Sequence, residues 1–311
     1  MRKALLIADT PGWAFDTAAQ TIKRHSDEFQ WSVEIDYVKR LRRKGVEADL
    51  SGYDVVYWFL WYDAYCIGPR IKGFNRSKTC LGVHSHVSWS KRNLSISDTR
   101  KILSEFPLVG VSSRKLHAEI DLGNVVVTPN GVDPDNFRLR KLPRSSDGPL
   151  KLMWVGNPDV SHHGDNKAFN SIIMPVVSQF PEEEVSLLAA TPDNFIPYEK
   201  MGEFYSQGEI LLCTSSSEGD PYPVLEAMHV GRPVISTDVG IVPEVVNRKN
   251  GWIIERNRSS LREAIIEAIE KRPMIRKMGI NAHKSIKGKR NGRIKASSIF
   301  DMFNGYLEGK L

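Results

Sequence analysis

Cysteine is scarce in this chain of 311 residues: Cys66, Cys80 and Cys213 are odd in number and far apart. A disulfide framework is implausible on that count. With no C-x-x-C pair and no His/Cys cluster, no metal site is expected either. Long apolar runs are also missing. No stretch reaches the roughly 18 apolar residues of a spanning helix. The run that begins at Ala4 stops at Asp9, too short for the apolar core of a secretory signal, and is expected to be a buried first strand. There is no low-complexity tract, and 41% hydrophobic with 26% charged residues is ordinary for a soluble globular protein. These absences point to the cytoplasm, with contact at a membrane surface left open, and no obligate protein partner is evident.

What is present is length for two domains with their own cores and a charge excess confined to one half. Residues 1–150 hold 23 Lys+Arg against 17 Asp+Glu, whereas residues 151–311 hold 20 of each. The densest basic run is Lys39-Arg40-Leu41-Arg42-Arg43-Lys44, followed by Arg70, Lys72, Arg76, Lys78 and Lys91-Arg92. Two readings stand: a solvated surface, or a positive field that collects an anionic partner such as a lipid phosphate, a membrane surface or DNA.

Short apolar runs alternate with amphipathic stretches of helix length. Strands are expected at Ala4–Ala8, Ser32–Tyr37, Val55–Leu60, Cys80–Val83, Leu108–Val111 and Val125–Thr128, with helices at Ala14–Arg24 and Arg114–Ile120. The alternation breaks at 139–150, where prolines, serines and a glycine among basic residues read as a linker. It restarts with strands at Leu152–Val155, Val185–Ala190, Ile210–Thr214, Pro233–Ser236 and Trp252–Ile254, and helices at Lys167–Ser178, Pro223–Val230, Ser259–Lys271 and Pro273–Ile286. The fold class this predicts is α/β, as two Rossmann-like domains with parallel sheets, residues 1–138 and 151–290, and a ligand cleft at the carboxyl ends of the strands. Residues 291–311 read as one more amphipathic helix.

The segment Ser215–Val246 carries the most chemistry. A strand runs into a small-residue loop, Ser215–Asp220, and Pro221 and Pro223 stand where a helix can begin. Such a loop offers backbone N–H groups and a positive dipole end to a phosphate. Glu218 lies in the loop and Glu226 one turn into the helix, with seven residues between them.

Glu218-x7-Glu226, then Ala227-Met228-x-x-Gly231-x-Pro233-Val234-Ile235-Ser236-Thr237, Gly240 and Pro243-Glu244, resembles the signature of family 4 glycosyltransferases, which are retaining, GT-B-fold enzymes that generally need no metal. Asn130-Gly131-Val132-Asp133 and Trp154-Val155-Gly156 are similar to further segments of that family. The resemblance implies a GT-B fold of two facing domains, the first taking the acceptor and the second, 151–290, the nucleotide-sugar donor, with the last helix packing back toward the first. It implies that Glu226 accepts hydrogen bonds from the donor's ribose hydroxyls, suiting an acceptor-only carboxylate. Glu218 would contact the transferred sugar, and Gly219, Asp220, Pro221 and Tyr222 would line sugar and phosphate. Lys167 matches the lysine that pairs with the diphosphate, stabilising the charge that develops on the leaving group. Asn157 stands where the family usually has an arginine, and His162 or His163 is a candidate for the missing charge.

In the first half, His84 and His86 follow a strand where the family often has a histidine facing the donor sugar. They share a face if the strand persists. Gly12 is the one glycine of a loop that the family makes glycine-rich against the phosphate. Trp13, beside it, and Trp61, in the aromatic run Tyr57–Tyr62, are candidates for the acceptor site or for the core, and Arg42 and Arg43 are candidate acceptor contacts. The activity expected is transfer of a hexose from a nucleotide-diphosphate sugar to a hydroxyl of an anionic acceptor, a lipid-linked or envelope glycan, with no cofactor beyond the donor. Two alternatives remain open: a DNA glycosyltransferase acting on a hydroxymethylated base, and a non-catalytic sugar-nucleotide or nucleic-acid binding protein.

Overall fold

The computed structural model describes the chain apart from residues 44–46, 86–88, 90–91 and 142–147, and apart from the side chains of His162 and His163. His86, Lys44, Lys91 and half of the expected linker therefore lie outside the described residues. Two compact units divide the chain: Met1–Gly131 with Asn291–Leu311, and Val132–Arg290.

The first unit is a six-stranded sheet of β1 (Arg2–Ala8), β2 (Trp31–Tyr37), β3 (Val55–Trp58), β4 (Thr79–Val83), β5 (Val109–Val111) and β6 (Val125–Val127), in the order β2-β1-β3-β4-β5-β6. Every pairing is parallel. β3 and β4 are buried along their whole length, as befits strands covered on both faces. Helix Gly292–Leu307 belongs to this unit and packs Phe300 and Phe303 against Trp31, which is fully buried.

The second unit has β7 (Leu150–Val155), β8 (Val185–Ala190), β9 (Ile210–Cys213), β10 (Val234–Thr237) and β11 (Gly251–Ile254), in the order β11-β10-β9-β7-β8 and again all parallel. Val132 and Phe137 sit in its core, so the chain has joined the second unit before residue 138. Both sheets reverse their strand order once, at β1/β3 and at β7/β9. In open α/β sheets a ligand crevice lies outside the carboxyl ends of the strands at that switch point.

Several elements differ from the sequence expectation. The strand expected at Val55–Leu60 stops at Trp58, and Trp61 and Tyr62 open helix Trp61–Ile67. β4 stops at Val83, so strand alternation does not govern His84. The helix expected from Lys167 starts at Phe169, because Ala168 takes a left-handed conformation (φ 53°), and its first turn is a π turn, Phe169–Ile173. Pro175, with no N–H, cannot bond the carbonyl of Ser171, and Arg258 Nε donates to that oxygen instead at 2.8 Å. Helix Tyr198–Gln207 occupies the stretch between the strands at Val185 and Ile210, where no helix was expected.

Candidate active site

The switch point of the second unit gathers residues from three loops. After β9 the chain enters Thr214–Asp220, and this loop is laced to the 165–167 loop. Thr214 Oγ1 donates to the carbonyl of Lys167 (2.9 Å), and the N–H of Ser216 to that of Asn166 (2.8 Å). The Asn166 side chain accepts from Ser216 Oγ (2.7 Å) and from the Ser217 N–H (3.1 Å). The result fixes Lys167 against Glu218, with Nζ 3.1 Å from Oε1. Ser215 Oγ donates to the same oxygen at 2.9 Å. Both charged side chains keep a fraction of their surface in water, 28% and 20%. The Glu218 charge raises the Lys167 pKa above its ordinary value, so the ammonium is secure. Gly156, directly after β7, leaves room for the lysine stem: a Cβ there would stand 2.7 Å from Lys167 Cδ. Asn157 uses its Oδ1 to accept the Asp159 N–H (2.9 Å), which makes it a turn-former in this structure.

Gly219 packs its carbonyl against Gly240, where a Cβ would come within 2.0 Å of that oxygen. Only glycine at 240 lets the two loops touch. Asp220 is buried and accepts from Arg290 Nη1 at 3.3 Å, and Arg290 also reaches Glu244. Pro221 is the N-cap of helix Tyr222–Val230 and Tyr222 its first residue.

Glu226 lies on the buried face of that helix. Its Oε2 accepts from the Tyr205 hydroxyl at 2.7 Å. Burial pushes the Glu226 pKa up to about 7, and the Tyr205 hydrogen bond opposes that rise. The folded protein therefore favours the neutral acid. That contribution to stability is complete below about 4.5, the ordinary carboxyl value, and is lost as pH rises through about 7. Glu226→Gln, neutral throughout, should gain stability over wild type by on the order of 3 kcal/mol between those limits. Denaturant unfolding across that range checks it, and a difference independent of pH would refute the raised pKa.

In the first unit, His84 follows β4 with its ring between Phe15 and Phe59 (centroids 4.9 and 5.8 Å). Both ring nitrogens are buried without a hydrogen-bond partner among the described residues. Desolvation, helped by the nearby Lys295 charge, lowers its pKa to about 3, so the imidazole is neutral. Lys295 itself is fully buried on the last helix and donates to the Thr128 carbonyl at 3.3 Å. Gly12 and Trp13 follow β1. The Gly12 N–H donates to Asp16 (2.7 Å), and Trp13 is 62% exposed. Trp61, in contrast, is 2% exposed and taken up by the core, which withholds its ring from any ligand. Arg42 is bound by the buried carboxylate of Asp63. With Arg43, Arg70 and Lys72 it lines a cavity of about 830 Å³ that also holds Glu47 and Asp49.

The sequence-predicted residues thus fall into two sets. Lys167, Glu218, Gly219, Asp220 and Glu226 share the carboxyl edge of one sheet; His84, Gly12 and Trp13 belong to the other unit. Sequence reasoning missed Asn166, Ser215, Tyr205 and Arg290, which hold the first set in place. Ser215 and Asn166 adjoin named motif residues and were findable by that adjacency. Among the described residues no three His, Cys, Asp or Glu side chains are placed to hold a metal, and no helix is long and apolar enough to cross a membrane.

Residues 194–285 match the family described as glycosyl transferases group 1. No curated protein matches the chain. Among solved structures, sucrose-phosphate synthase from Thermosynechococcus elongatus is similar at TM-score 0.76 and 14% identity, over 99% of this chain and 100% of that one. HepE of Anabaena, in complex with UDP and glucose, is similar at TM-score 0.71 and 16% identity, over 98% and 100%. S. aureus TarM, in complex with fondaparinux, α-GlcNAc-glycerol and UDP, gives TM-score 0.59 and 15% identity, over 80% of this chain and 55% of that one. At such identities the likeness speaks for the fold, which is GT-B. Together with the family match over residues 194–285, it defines the class: the chain is a glycosyltransferase.

Proposed function

We propose that the protein is a retaining hexosyltransferase of family 4, working from a nucleotide-diphosphate sugar without a metal. The observation that carries this is the Lys167–Glu218 pair at the β7/β9 switch point, one loop from the buried Glu226. An ammonium beside a carboxylate matches the charges of the reaction. Negative charge grows on the departing diphosphate, near Lys167, while positive character grows at the anomeric carbon, near Glu218. Glu226 takes the ribose hydroxyls. The bond from anomeric carbon to phosphate oxygen breaks as the acceptor oxygen bonds the same face, and the acceptor's proton passes to the departing diphosphate. The UDP bound to HepE and to TarM supports a nucleotide donor.

The acceptor we propose is an anionic one, a lipid-linked or envelope glycan, taken by the first unit. The cavity bearing Arg42, Arg43, Arg70 and Lys72 supports this reading, since these four cations outnumber Glu47, Asp49 and the Asp63 that holds Arg42. The test is a screen of the purified protein, without added metal, against UDP-, GDP-, ADP- and TDP-sugars by thermal shift and diphosphate release. Stabilisation by one donor with slow release of its diphosphate is expected. Neither stabilisation nor cleavage by any of the four would overturn the proposal.

A further inference from the structure

Glu226 is a carboxylate whose position is set from another helix. Tyr205, on Tyr198–Gln207, is fully buried and donates its hydroxyl to Glu226 Oε2 at 2.7 Å. No other hydrogen bond ties Glu226 to a described residue. The tyrosine has no freedom of its own. Its ring packs on Phe204 and Phe137 (centroids 5.5 and 6.2 Å), and its carbonyl is held by Arg232 Nε at 3.0 Å. One carboxylate oxygen is thus pinned by a fixed donor, and the other keeps its acceptor sites.

On the reading that Glu226 takes the donor's ribose, we propose that Tyr205 is a positioning residue: its hydroxyl aims the Glu226 carboxylate at the ribose diol. The bond also favours the ionised form, the only one that accepts from both ribose hydroxyls without offering a proton of its own. The other titratable groups around this pair are Tyr198 on the tyrosine's helix and Cys213 at the end of β9, whose thiol burial keeps protonated. On the glutamate's own helix, His229 is directed to the Arg290 carbonyl and is held neutral by burial. Arg232 lies on the backbone side of Tyr205. No cation pairs with Glu226 among the described residues, so Tyr205 is the hydrogen-bond donor that opposes the effect of burial on its charge. Nucleotide affinity should therefore rise with pH through neutrality, with a midpoint that Tyr205 holds down.

The experiment is calorimetric titration of the full chain with UDP, GDP and ADP and with their 2′,3′-dideoxy analogues, from pH 5.5 to 8.5. Wild type, Tyr205→Phe, Glu226→Gln and the double variant are compared, each checked by thermal melting. Tyr205→Phe keeps the ring and should weaken ribonucleotide binding about tenfold at pH 7, raise the donor KM more than it lowers kcat, and move the midpoint to higher pH. In the Glu226→Gln background the same change should have no effect, and dideoxy analogues should bind wild type without the pH dependence. An unchanged midpoint and KM in Tyr205→Phe would remove the positioning role while leaving the donor site standing. Equal pH dependence for ribo- and dideoxynucleotides would remove it with no variant needed. Undiminished ribonucleotide binding by Glu226→Gln, or no nucleotide binding at all, would instead count against the donor-site reading itself.

Discussion

Replacing Glu218 by alanine should lower the rate of sugar transfer by about a thousandfold while leaving nucleotide binding intact or tighter. The first half follows from the position of the carboxylate beside Lys167 and Ser215 on the loop after β9. A group that opposes positive charge at the reacting carbon acts in the transition state, and loss of one such interaction costs on the order of two to three decades in rate. The second half follows from the ion pair. Glu218 occupies the ammonium that a diphosphate would use, so its removal frees Lys167. Lys167→Ala should do the opposite and weaken nucleotide binding. Because both side chains are partly exposed, the lost pair is worth no more than about 1 kcal/mol of stability, and the variant should melt close to wild type. Initial rates of diphosphate release, with nucleotide affinity measured in parallel, decide the matter. Full activity in Glu218→Ala would remove the residue from the reaction.

The largest effect on stability is expected at Arg232. Its guanidinium is fully buried and has no carboxylate on it among the described residues; its partners are carbonyl oxygens. Nε donates to Tyr205, Nη1 to Arg140, Val230 and Gly231, and Nη2 to Lys141 and Ser206, all between 3.0 and 3.3 Å. Tyr205, Ser206 and Val230 close the last turns of two helices, so one cation serves two negative dipole ends. Burial lowers its pKa to about 10, which leaves it charged at neutral pH. Arg232→Ala would strand several carbonyls without donors and cost on the order of 3–5 kcal/mol. Arg232→Lys should recover only part of this, since an ammonium cannot span the fork. Denaturant unfolding, followed through Trp154 and Trp252 in the second unit, reads the change. A loss below about 1 kcal/mol would show that the carbonyls find water instead.

Strands were legible because fully buried parallel strands leave short, unbroken apolar runs such as those at Ile210 and Val55. The helices that escaped had reasons to. Tyr198–Gln207 follows a proline-bearing loop, carries Gly202, and is capped by Pro197 without a side-chain hydrogen bond. Ile96–Leu103 begins in a Ser/Asp-rich stretch that reads as a turn until Ser95 is seen to accept the Asp98 N–H. In the site, Glu218, Glu226 and Lys167 could be read from motif spacing, since the loop and helix that present them are local. Tyr205 and Arg232 could not. Their importance comes from helix packing over 21 and 27 residues of separation, which no periodicity records.

The order in which the units close has a consequence for synthesis. Residues 132–290 form one uninterrupted stretch, whereas the first unit recovers Lys295, Phe300 and Phe303 only from the last helix. At ribosomal speeds of about 5–20 residues per second, the second unit has all its parts seconds before the first does. Until that helix emerges, Trp31 and the apolar face around it lie open on a sheet already translated. The nascent chain should therefore depend on chaperones for its N-terminal half and not for its middle, and losing the final helix should cost solubility before it costs the second unit.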